Sequence, residues 1–172
     1  IIVMGERTHK ALRSTAHHYL NLSELRTRLD DEQSAKSDPR KALSLIAQAA
    51  PQGDLALAGF SFGSFVVSQA LNRLHGQREV RSLVFVGTAA SRFAVADIPA
   101  DWAPRLLVLH GLDDDTVPLQ SVLDWAKPQN LPVTVVPAGG HFFHGQLPQL
   151  RRWVHRHVQA MAWEAAAAAP IS

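Results

Sequence analysis

The feature that most limits how this chain can fold is Gly59-Phe60-Ser61-Phe62-Gly63, set between the apolar run Leu55-Ala56-Leu57-Ala58 and a helical stretch over residues 64–74. Val67, Ala70, Leu71 and Leu74 of that stretch share one helical face. A continuous apolar run of strand length indicates a strand covered on both faces. Strand, glycine-bracketed serine and helix together match the G-x-S-x-G elbow, a sharp turn that holds a serine hydroxyl clear of the sheet. The glycines let the two backbones approach closely. The turn sets Ser61 at a helix N-terminus, where free N–H groups face developing negative charge. The Phe62 N–H is therefore a candidate oxyanion donor. A glycine-rich turn with an incidental serine is the plainer reading, and the flanking strand and helix argue against it.

The rest of the chain repeats this alternation. Residues 82–86, 105–110 and 132–136 read as strands, and residues 119–126 as a short helix. Leu147, Leu150, Val154, Val158 and Met161 lie at helical spacing along a last helix. Strands alternating with helices imply an α/β fold with a doubly wound, mostly parallel sheet. Residues 1–4 are strand-like, and residues 10–29 are helical in pattern with Leu22, Leu25 and Leu29 on one side. Asp38 and Pro39 suit the cap and first position of a helix running to residue 50. The expected organisation is one domain over residues 1–172, with a divergent segment over 1–40 and a flexible alanine-rich tail over 164–172. There is no internal repeat.

Composition removes several alternatives. The formal net charge of the 172 residues is +2, which demands no nucleic-acid partner. There is no cysteine, so disulfides, thiolate metal sites and a cysteine nucleophile are excluded. This fits a reducing compartment, and the expected location is cytoplasmic. No apolar run approaches the roughly 18 residues of a membrane span.

Two further motifs carry chemistry. His110-Gly111-Leu112-Asp113-Asp114-Asp115-Thr116-Val117-Pro118 follows a strand, where open α/β sheets place their sites. An acid there can orient a histidine and stabilise its imidazolium. The three adjacent aspartates leave the choice open on spacing alone. A solvated acidic turn is the plainer reading, and three consecutive residues do not readily converge on one metal ion. His110 reads as a packing residue at the strand end. After the last strand comes Gly139-Gly140-His141-Phe142-Phe143-His144-Gly145. A histidine on that loop can reach the elbow serine; His141 is the candidate general base and His144 its rival. The order serine, acid, histidine is the one this kind of elbow uses. No histidine pair frames a zinc site, so no metal is assigned.

Taken together, the segments around Ser61, Asp114 and His141 resemble a bacterial family of small, lidless α/β-hydrolases, related in fold to dienelactone hydrolases and short-chain esterases. The resemblance covers about residues 39–158. It implies an α/β-hydrolase fold with Ser61 as nucleophile, His141 as base and Asp114, between Gly111 and Val117, as the acid. The family's histidine-proline motif, whose loop gives a second oxyanion N–H, is absent from residues 1–40. Gly5 or Glu6, following the strand-like start, are the substitute source considered.

The expected function is hydrolysis of small carboxylic esters or related acyl compounds by a Ser-His-Asp triad through an acyl-enzyme. No cofactor is implied. The expected partner is a small-molecule substrate, with no nucleic acid and no membrane; oligomeric state is not readable. The alternatives are a non-catalytic binding domain of the same fold, or an acyltransferase using the same residues.

Overall fold

The computed structural model describes residues 2–4, 43–44, 46–48, 50–53 and 55–167. Their elements, in chain order, are β1 (Ile2–Met4), β2 (Leu55–Phe60), α1 (Phe62–Leu74), β3 (Val80–Val86), β4 (Leu106–Gly111), α2 (Leu119–Ala126), β5 (Val133–Val136) and α3 (Leu147–Ala167). Each expected strand from residue 55 onward is present, with ends moved by one or two residues. The helical patterns over 119–126 and from Leu147 are also met. The expected helix over 10–29 lies outside the described residues. Of the expected helix up to residue 50, residues 43–44 and 46–48 are helical.

The five strands form one sheet in the order β1-β2-β3-β4-β5. β2 through β5 are parallel to their neighbours. Parallel neighbours need a crossover, and α1 and α2 supply it between β2 and β3 and between β4 and β5. β1 pairs with β2 antiparallel, with Ile2 opposite Ala58 and Met4 opposite Ala56. Residues 2–4 of the strand-like start thus form a strand, and β1 runs against the parallel set.

Successive strand residues point to opposite faces, and the two faces bury two separate apolar clusters. Leu83 and Phe85 of β3 pack with Leu57, Val108 and the α1 and α2 residues Val67, Leu71, Val122 and Ala126. Val84 and Val86 face the other way, with Leu109, Val136 and Phe143, against Leu150, Trp153 and Val154 of α3. Double coverage is the reason these strands are continuously apolar instead of alternating. β5 is less buried than β3 or β4, and Thr134 in its middle is exposed, as befits an edge strand. No helix of the described residues is long and apolar enough to cross a membrane.

The layered core predicts its own weak point. Phe85 is fully buried and stacks on Trp125 at 6.1 Å between ring centroids. Phe85→Ala is expected to cost about 3–5 kcal/mol of folding stability, read from the urea unfolding midpoint. A loss below about 1 kcal/mol contradicts the packing described.

Candidate active site

Ser61 joins β2 to α1 with φ 53° and ψ −117°, a left-handed backbone that costs a non-glycine residue on the order of 1–3 kcal/mol. Three hydrogen bonds over-determine it. The Ser61 N–H donates to the Val86 carbonyl at 2.8 Å, continuing the β2–β3 ladder by one residue. The Ser64 N–H donates back to the Ser61 carbonyl at 3.0 Å. The buried Ser64 hydroxyl spans the turn to the Gly59 carbonyl at 3.1 Å. A Cβ on Gly59 would stand 2.5 Å from both the Gly63 carbonyl carbon and the Ser64 nitrogen. Only glycine lets the strand and the helix start pass this closely.

Ser61 occupies the N-cap position of α1, yet its side chain makes no capping hydrogen bond. The hydroxyl is instead 2.9 Å from His141 Nε2. The Phe62 amide sits at the first helical position, where an N–H has no intrahelical partner. No acidic side chain occupies the first turn of α1, so nothing there competes for the positive end of the helix dipole.

His141 lies on the loop after β5 and is almost fully buried. Its Nδ1 is 2.8 Å from Asp114 Oδ2. Donation from Nδ1 leaves Nε2 free to accept the serine proton. Two close backbone contacts hold this loop against the β4 loop. The Asp113 N–H donates to the Gly139 carbonyl at 2.9 Å, and Gly111 packs so tightly on that carbonyl that a side chain there has no room. Phe143, buried with φ 51°, anchors the loop in the second core cluster.

Of the three aspartates the structure brings Asp114 to His141, while Asp113 and Asp115 are exposed. Asp114 Oδ1 accepts the N–H groups of Thr116 at 2.9 Å and Val117 at 2.8 Å. Burial pushes its pKa up, but the Val117 amide, His141 and the Thr116 amide outweigh that and hold it below the ordinary carboxylate value. His144, the rival histidine, is exposed, its ring 5.9 Å from that of Phe142. Among the described residues no three acidic or histidine side chains converge as a metal site would require.

His110 has more to do than fill space. It is fully buried, and its Nε2 donates to the Val117 carbonyl at 2.9 Å while lying 3.5 Å from Asp114 Oδ2. Its Nδ1 has no hydrogen-bond partner among the described residues. Desolvation lowers its pKa despite the Val117 carbonyl and the Asp114 charge. A neutral imidazole thus ties the strand end to the far side of the acid loop without adding a second cation beside Asp114.

Sequence reasoning passed over Gly87. It follows β3 with φ 56°, and a Cβ there would stand 3.2 Å from His141 Cε1. A glycine directly after an apolar strand run was the available signal. Gly5 and Glu6, the expected source of a second oxyanion N–H, lie outside the described residues. A depression of about 370 Å³ lined by residues 75–79, Asp101 and Trp102 lies at the N-terminal ends of β3 and β4. It shares no residue with the cluster around Ser61.

Comparison with solved structures places the fold among known proteins. The fold is that of the α/β hydrolases. A lidless α/β serine hydrolase from Xanthomonas campestris is 29% identical, with a TM-score of 0.58, over 73% of this chain and 56% of its own. An α/β serine hydrolase homologue from Coxiella burnetii is 26% identical, with a TM-score of 0.51, over 70% of this chain and 57% of its own. The resemblance to small lidless α/β-hydrolases is borne out, and the chain spans little more than half the length of these two relatives. No protein-family model matches the chain, and no curated protein matches it.

The two buried groups set a pH dependence of stability. Below the unfolded-state value of 6.5 for His110, the unfolded chain binds a proton that the native imidazole refuses, so stability falls as pH falls. Asp114 adds a loss in the same direction below its unfolded value of 3.8. The urea midpoint is expected to drop from pH 7 to pH 4. The drop between pH 6.5 and pH 5 is expected to shrink in His110→Gln, which keeps an N–H donor but takes up no proton. An unchanged profile in that variant contradicts a neutral buried His110.

Proposed function

We propose that the chain carries a serine hydrolase site acting on small carboxylic esters or related acyl compounds. The observation supporting this most is the unbroken hydrogen-bond chain from Ser61 Oγ through His141 to Asp114. In this reading Ser61 Oγ attacks the acyl carbon while His141 Nε2 takes its proton. The Phe62 N–H faces the developing oxyanion. His141 returns the proton to the leaving oxygen as the acyl carbon–oxygen bond breaks. Water, deprotonated by the same nitrogen, then attacks the acyl-enzyme and releases the acid. Asp114 stays ionised throughout and balances the imidazolium. The lidless relative from Xanthomonas campestris agrees with a site open to solvent. Phe60 and Phe142 beside Ser61 and His141 are 43% and 59% exposed.

A fluorophosphonate probe is expected to label Ser61, located by peptide mass spectrometry. Ser61→Ala is expected to lose both labelling and hydrolysis of short-chain aryl esters, by as much as about a million-fold in kcat for an intact unit. Unlabelled Ser61 in folded protein overturns the reading and leaves a binding domain of the same fold. Among the aspartates, Asp114→Asn is expected to reduce kcat by about four orders of magnitude, as wrong-tautomer variants do. Asp113→Asn and Asp115→Asn are expected to stay within about tenfold of the parent. Damage from Asp113→Asn exceeding that from Asp114→Asn refutes the assignment.

A further inference from the structure

The general base of such a reaction also fixes where the leaving group lies. The proton that His141 Nε2 takes from Ser61 must pass to the oxygen that departs. The departing alcohol therefore rests against the imidazole, within reach of solvent-facing rings that border it. Two such rings stand there among the described residues. The Phe60 ring is centred 5.1 Å from that of His141, and the Phe142 ring is also 5.1 Å from it, nearly perpendicular at 82°. The two phenylalanine rings are centred 6.1 Å apart, so the three rings form one corner beside the imidazole.

These two rings differ from the other aromatics near Ser61. Phe62, Phe65 and Phe93 pack on one another at 4.9–5.7 Å, and that contact accounts for them. Phe143, the neighbour of Phe142, is buried in the second core cluster. Phe60 and Phe142 leave much of their surface to solvent, as Phe93 does in the other group, but Phe60 and Phe142 are the two whose rings pack on His141. Exposed apolar surface of this kind, gathered at one point beside polar groups, marks a contact site. An aromatic ring prefers edge-to-face or offset contact with another, and a corner of rings offers both to a flat guest.

Resting on the serine hydrolase reading, we propose that Phe60 and Phe142 form the leaving-group site. The substrates they select are esters of flat, apolar alcohols of the phenol type, over esters of alcohols that carry no ring. The acyl group lies on the other side of the Ser61 oxygen, away from these rings, and is selected separately.

The test compares two acetate esters, phenyl acetate and hexafluoroisopropyl acetate. Their leaving alcohols are of similar acidity, and only one has a ring. Both give the same acetyl-enzyme, so any difference arises before deacylation. Phe142→Ala is expected to lower the ratio of kcat/KM for the phenyl ester to that for the fluoroalkyl ester by about three- to tenfold, the range of one aromatic contact. Phe142→Tyr is expected to keep the parental ratio. The ratio of phenyl acetate to phenyl butyrate is expected to stay fixed in Phe142→Ala, because its acyl group alone varies. Phe142 is exposed, so the substitution is compatible with folding, which near-ultraviolet circular dichroism checks. A parental phenyl-to-fluoroalkyl ratio in Phe142→Ala overturns the assignment, and so does an acetate-to-butyrate ratio that moves as far. Both outcomes leave the serine hydrolase reading standing. Wild-type protein that hydrolyses neither acetate, or Ser61→Ala that hydrolyses both at the parental rate, overturns that reading and the assignment with it.

Discussion

The contact between Gly59 and the first turn of α1 is the constraint on which the site depends. Strand and helix meet there with no room for a single carbon between them. That closeness forces Ser61 into its left-handed backbone and lifts its hydroxyl off the cap position toward the C-terminal edge of the sheet. The strain is local, and the structure offsets it locally through the Val86 carbonyl, the Ser64 amide and the Ser64 hydroxyl. A looser turn would let Ser61 relax and cap α1, as an N-cap serine ordinarily does. Its oxygen would then point at the helix and not at His141.

A second economy lies in the charges. Two histidines and one aspartate share a buried space, in which the aspartate is held as an ion and His110 as a neutral ring. Its two oxygens are divided: one takes two backbone amides, the other takes His141. The amides belong to the same loop as the carboxylate, so forming the loop and stabilising the anion are one event. His110 closes that loop from behind while remaining neutral. A cation at His110 would compete with His141 for Asp114 Oδ2, which lies within 3.5 Å of both rings. Burial of His110 in the sheet removes that competition.

The sheet is a frame for these loops as much as a core. The parallel strands β2 to β5 end on the same side, and the turns that follow β2, β3, β4 and β5 supply Ser61, Gly87, Asp114 and His141 in that order. Glycines at 59, 87 and 111 mark the points where one turn presses on another. They belong to three separate contacts: turn on helix, turn on imidazole, and turn on turn. β1, antiparallel at the other edge of β2, contributes strand pairing.

Much of this was legible in the chain itself. Apolar runs bounded by glycine determine the strands, and 3.6-residue spacing determines the helices, because both are local consequences of burial. The elbow was legible for the same reason: strand, turn and helix are contiguous, and the backbone rule that needs glycine at 59 acts within six residues. Choosing among three aspartates was not a local matter. Spacing alone left them equivalent, the family resemblance pointed to Asp114, and the fold turns that carboxylate alone toward a histidine 27 residues away. Pairing across 80 residues between Ser61 and His141, the reversed direction of β1, the tight fit of Gly87 on the imidazole, and the exposure of Phe142 beside the burial of Phe143 are all tertiary decisions. Each depends on which surfaces meet once the sheet is assembled, and no periodicity within one segment records what a distant segment will bring against it.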